Sequence, residues 1–179
     1  MGAQTEGSGG VRGVVCDTSV LLHLTETDAL PVLMRMGDIA VPRAVATEMT
    51  QYSPLWLTEK PSWIRVHSLT ESLWKEATAW CQAGLLDSGE AEAIVLARQI
   101  NAAWFLTDDA AARLFAQSLG IEVHGSLGVV LWAAAVGELS RADAEAMLDR
   151  LAKSSLWISA KVLAEARVAL TRLYRGRMA

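Results

Sequence analysis

The 179-residue chain lacks an excess of positive charge. Lys and Arg number 16 against 20 Asp and Glu, a formal net charge of −4. That excludes a generally basic nucleic-acid-coating protein. It leaves a nuclease open, because clustered catalytic carboxylates bring negative charge that bound cations neutralise. Cysteine is scarce: Cys16 falls in an expected strand and Cys81 in an expected helix. A disulfide framework and a cysteine zinc site are excluded, and a reducing cytoplasm is the expected compartment. No apolar run is long enough to span a bilayer, so no membrane partner is expected. No secretory signal is visible; the polar, Gly-rich residues 1–10 read as a flexible leader outside the fold. His23, His67 and His124 have no i,i+4 or Cys partner at metal spacing. No Ser or Cys sits in a GxSxG context, and Gly125 and Gly128 do not form GxGxxG.

What is present is a globular composition, 52% hydrophobic and 20% charged, with seven tryptophans. The length suits one domain, expected over residues 11–179. Short apolar runs alternate with helical patterns. Strands are expected at Val11–Cys16, Ile39–Val41, Trp63–Val66 (at the sheet edge), Ala103–Leu106 and Ile121–Val123. Helices are expected after Asp17, over Arg43–Gln51, Leu69–Gly84, Ala91–Ile100, Ala110–Leu119 and Leu127–Val136. Ala29–Met36 is a further apolar stretch, with Pro31 suited to a first helical turn. Tyr52–Ser62, with two prolines, reads as a loop. This alternation predicts an α/β fold: a parallel sheet with helices on both faces. Residues 138–179 read as a helical extension on the same domain, with helices Ser140–Leu151 and Ser159–Leu173. Trp74, Trp80, Trp104 and Trp132 fit core faces, whereas Trp56 and Trp63 fall in or beside the loop and are expected nearer the surface.

The chain is organised around Val11–Leu24, where Asp17 closes the first strand run. A strand buried on both faces has no structural need of a carboxylate at its carboxyl end. Open α/β sheets place ligand chemistry there. Glu48 lies in the helix after the second strand, Glu90 opens the helix after Asp87, and Asp108 and Asp109 follow the late strand. In a parallel sheet these acids can meet along one edge. Several carboxylates in one cleft repel one another unless a hard cation sits among them. Mg²⁺ or Mn²⁺ suits such oxygen ligands, and hydrolysis of a phosphodiester is the natural reaction. Each acid also has a plain structural reading. Asp17 can cap its helix, Asp87-Ser88-Gly89-Glu90 fits a capping box, Asp108 or Thr107 can cap the next helix, and Glu48 can be a solvated helix residue. Thr18, Ser19 and Thr107 stand beside the acids, suited to orienting a phosphate or to capping.

Five segments carry a family resemblance. They are VVCDTSVLLHL around Asp17, VPRAVATEM around Glu48, LLDSGEAEAIVLA around Glu90, FLTDDAAAR around Asp108 and Asp109, and GSLGVVLWA from Gly125. In this order, across Val11 to Gly137, the chain resembles a PIN domain. The GSLGVVL segment and the extension resemble the PIN subgroup of predicted nucleic-acid-binding proteins, which is similar to the VapC toxins of toxin–antitoxin pairs. The resemblance implies a three-layer α/β/α sandwich with a central parallel sheet and a Mg²⁺- or Mn²⁺-dependent endoribonuclease. Asp17 matches the family's first acid, Glu48 the second and Asp109 the last; Glu90 stands where many members have Asp. Asp108 occupies the adjacent polar position, and Asp87, one turn before Glu90, is suited to an outer-shell role. The resemblance further implies an RNA substrate, a homodimer joining two sites in a groove, and an antitoxin partner. The competing reading is a non-catalytic PIN-like module binding RNA or protein; a metal-dependent phosphatase on a similar sheet is the third.

Overall fold

The computed structural model describes residues 13–176. The expected leader, 1–10, lies outside the described residues, as does Val11, the first residue expected in the opening strand. Five strands form one parallel sheet: β1 (Gly13–Cys16), β2 (Asp38–Pro42), β3 (Ile64–His67), β4 (Trp104–Leu106) and β5 (Val123–His124). Their order across the sheet is β3-β2-β1-β4-β5. β1 is central, with Val15 in register with Ala40 on one side and Phe105 on the other. Val14, Val15 and Cys16 are fully buried, as expected of a strand covered on both faces.

The helices are α1 (Thr18–Glu26), α2 (Arg43–Tyr52), α3 (Trp56–Glu59), α4 (Glu71–Gln82), α5 (Ser88–Gln99), α6 (Ala110–Ser118), α7 (Ser126–Val136), α8 (Arg141–Leu151) and α9 (Ala160–Arg175), with a 3₁₀ segment at Leu30–Arg35. They cover both faces of the sheet, which is the expected three-layer α/β/α arrangement. α5 is the hub of one layer. Ala91, Ala93, Ile94, Val95, Leu96 and Ala97 are buried along it, and its alanines let it lie close over β1, β2 and β4, between α4 and α6. α1, the 3₁₀ segment and α7 pack against one another in the other layer.

α8 and α9 build a second apolar cluster on α7, with Leu148, Leu151, Ala166 and Leu170 buried against Val130 and Ala134. Polar ties join this extension to the first layer. Arg150 Nε donates to the Thr27 carbonyl at 2.9 Å, and Ser155 N donates to Glu26 Oε2 at 2.9 Å.

Several local expectations are corrected. The loop expected at Tyr52–Ser62 contains α3, and Trp56 at its start is buried in the main core. Trp74 is half exposed, because α4 turns Ala77, Leu73 and Trp80 inward and leaves Trp74 to one side. The last strand is shorter and later than expected, Val123–His124. α5 starts at Ser88 rather than Ala91, since Asp87 is its cap.

Candidate active site

At the carboxyl end of β1 a cleft of about 590 Å³ opens between α1, α2 and the start of α5, lined by Asp17, Thr18, Ser19, His23, Glu48, Asp87 and Glu90, among others. Among the described residues no Lys or Arg lines it. Asp17 sits where β1 passes into α1 and is 2% exposed. Its Oδ1 accepts from Ser19 Oγ at 2.7 Å and from Val20 N at 3.1 Å; its Oδ2 accepts from Thr107 Oγ1. Thr107, fully buried at the end of β4, also receives Asp109 N at 3.1 Å. The hydroxyls of Ser19 and Thr107 therefore fix the plane of the Asp17 carboxylate. Burial pushes the Asp17 carboxyl up to about 6; its three hydrogen bonds pull it back, and the Asp108 charge adds to the rise.

Glu48 reaches from α2 across to the start of α5. Its Oε1 accepts from Gly89 N at 2.9 Å and Ser88 Oγ at 3.2 Å, and its Oε2 accepts from Thr18 Oγ1. This approach requires glycine at 89, since a Cβ there would lie 2.6 Å from Glu48 Oε1. Glu90, on the first turn of α5, folds back to accept from Asp87 N at 3.0 Å, half of the expected capping box. Burial raises the Glu90 carboxyl to about 7. The Asp87 N–H opposes that rise, and the charges of Asp109, Asp87 and Asp17 reinforce it.

The two acids after β4 have different surroundings. Asp109 caps α6, its Oδ1 accepting from Ala112 N at 2.8 Å. Asp108 turns away, accepting from Ser126 N at 2.7 Å, Ser126 Oγ at 2.5 Å and His23 Nδ1 at 2.7 Å. Thus Asp17, Thr18, Ser19, Glu48, Asp87 and Glu90 share the cleft wall. Thr107 stands behind Asp17, Asp109 acts on Glu90 through its charge, and Asp108 faces a second pocket at the β5–α7 junction.

The PIN-domain family model DUF3368 matches residues 13–172. The chain belongs to the PIN-domain family. No curated protein matches it significantly. PIN domains are generally nucleases and typically use divalent metals. Whether this PIN domain suits such an ion is a question for its donor set. The donors are right in kind: carboxylates and hydroxyls are the oxygen ligands of hard cations. Two of the acids also repel in a desolvated place with no cationic side chain beside them. In their present rotamers, however, Glu48 and Glu90 point at backbone N–H groups. Among the described residues no three His, Cys, Asp or Glu side chains stand as a ready ligand cluster. The chemistry of the cleft fits a divalent cation, and Glu48 and Glu90 would turn from their caps to reach it.

Sequence reasoning missed the His23–Asp108 pair. His23 lies four residues after Ser19, on the same face of α1, and that spacing was the available signal. It also missed Gly89, whose lack of a side chain matters only once Glu48 is known to approach it.

Proposed function

We propose that this PIN domain is a Mg²⁺- or Mn²⁺-dependent endoribonuclease and the toxin of a VapC-like toxin–antitoxin pair. The observation that carries the reading is the meeting of Asp17, Glu48 and Glu90 in one cleft without a cationic side chain. Asp17, Glu48, Glu90 and Asp109 would hold the ion, with Asp87 in support. A bound divalent cation supplies a water of lowered pKa and stabilises charge developing on the phosphate. Thr107 and Ser19 keep the Asp17 oxygens aimed, so the central carboxylate does not swing between rotamers. Thr18 holds Glu48 in the cleft wall. Burial raises the Glu90 carboxyl to about 7, so a cation held there would favour its ionised form.

The direct test is cleavage of RNA by purified protein with Mg²⁺ or Mn²⁺. Asp17→Asn should abolish it, as should EDTA. Cleavage that survives both would sink the mechanism. A small phosphoester assayed alongside separates a phosphatase. The competing reading, a non-catalytic module binding RNA or protein, is favoured by the engagement of Glu48 and Glu90 with helix N–H groups. It predicts RNA binding without cleavage and no change in thermal stability on adding Mn²⁺. A homodimer, an antitoxin partner and a cytoplasmic location belong to the VapC-like proposal; light scattering, co-purification with a small neighbouring gene product and cell fractionation test them.

A further inference from the structure

We propose that the pocket beside Trp157 is a base-stacking subsite for the single-stranded RNA that enters the acidic cleft; this rests on the nuclease reading. The pocket, about 350 Å³, lies where β5 and the start of α7 meet the segment leading into α9. Leu127, Ile158 and Val162 give it apolar walls, and Arg113 and His124 give it polar ones. Trp157 stands at this pocket 85% exposed, the most exposed large apolar side chain among the described residues. Its indole has no core to join, and an exposed aromatic beside a shallow pocket is a platform for a flat ring.

Two of its lining positions are glycine, and neighbouring side chains close in on both. A Cβ at Gly125 would meet Asp108 Oδ1 at 2.6 Å and Arg113 Nη2 at 2.8 Å, and one at Gly128 would lie 3.3 Å from His124 Cβ. The pocket also adjoins the acidic cleft. Asp108 lines the pocket, His23 lines the cleft, and the two side chains are bonded at 2.7 Å. The bonded pair is the wall that the two cavities share, and a strand occupying both would cross over it.

The chemistry favours a base over a phosphate. Arg113 gives Nη2 to the Thr107 carbonyl at 2.8 Å, and the Asp108 carboxylate beside it repels anions. A folded protein partner would need roughly 800 Å² on each side, far more than a pocket for one or two rings. Charge distribution supplies the path for the backbone. Residues 138–179 carry eight Lys and Arg against five Asp and Glu, whereas residues 1–137 carry eight against fifteen. Along α9, Lys161 and Arg172 flank Glu165 on one surface, two cations to one acid. The acidic part would hold the ion, and the extension would hold the strand.

The test uses the full chain carrying Asp17→Asn, so that RNA survives, and a fluorescein-labelled mixed-sequence single-stranded RNA read by anisotropy. Adding Trp157→Ala should weaken binding about ten-fold, and Trp157→Phe should restore most of it. In the otherwise wild-type chain, Trp157→Ala should raise KM for RNA about ten-fold with kcat little changed. RNA affinity unchanged by Trp157→Ala would overturn the subsite and leave the nuclease reading standing. Loss of a dimer in light scattering on Trp157→Ala, with RNA affinity unchanged, would likewise overturn it and assign the surface to a second copy. A wild-type chain that neither binds nor cuts RNA would overturn the nuclease reading itself. Circular dichroism of each variant confirms the fold.

Discussion

Helices α1, α6, α8 and α9 each begin on a side chain that accepts the N–H three residues on, but with two chemistries. In the extension, Ser140 caps α8 through Asp143 N and Ser159 caps α9 through Val162 N. At the sheet edge, Asp17 caps α1 through Val20 N and Asp109 caps α6 through Ala112 N. Serine and aspartate are about equal as caps. A neutral hydroxyl would therefore do the structural work at residue 17 without burying a charge. Asp17 is nearly inaccessible and its carboxyl is pushed up to about 6. The contrast separates a helix start built only for stability from one that also keeps a carboxylate for another purpose.

Exchanging the residues on the two sides breaks that contrast. The largest effect is expected at Asp17. Asp17→Asn should lower RNA cleavage by about 100-fold or more, while raising the melting temperature of the metal-free protein at neutral pH. A drop in melting temperature would place Asp17 with the serines, as a cap and nothing else.

Acid titration sharpens the same point. The Asp17 and Glu90 carboxyls are raised in the folded protein, so the native state holds their protons more tightly than the unfolded chain. Their stabilising effect is present below about pH 4 and is lost as pH rises towards about 6 for Asp17 and about 7 for Glu90. For Asp17 the loss is on the order of 3 kcal/mol. Metal-free protein should therefore melt lower at neutral pH than these two groups alone would allow near pH 5, and Mn²⁺ should recover the difference. Chemical denaturation across this range, with and without Mn²⁺ and with Asp17→Asn as the reference, measures it.

A smaller change is expected at Gly89→Ala. The added methyl displaces Glu48 and should reduce cleavage roughly 10-fold, as supporting-shell changes do at metal sites. Single-turnover kinetics read this directly. The smallest change is expected at Ser140→Ala, which should cost about 1 kcal/mol in urea denaturation and leave cleavage untouched.

Much of the sheet was legible because its strands are short β-branched runs ended by polar residues, as in GVVCD and FLTDD. The acids at those ends were legible for the same reason: Asp17 interrupts a pattern that has no use for it. Glu48 was legible only from its place after the second strand and from the resemblance, because its neighbours in sequence are ordinary helix residues and its partner Gly89 is 41 positions away. Asp108 and Asp109 were legible as a pair but not individually. Only Ser126 and His23, reached through folding, decide which of them turns from the cleft. Trp56 was misjudged because prolines flank a single helical turn that tucks it inward.

The position of β1 between β2 and β4 has a consequence for synthesis. The Thr107 hydroxyl that holds the Asp17 carboxylate leaves a ribosome 90 residues after it. Contacts this distant in sequence form late, because the intervening chain must first be closed into a loop. Until that loop closes, the nascent chain carries Asp17 and Glu48 without a formed site. The carboxylate set is complete only when β4 slots beside β1, so whatever chemistry the cleft performs waits on a long-range step of folding.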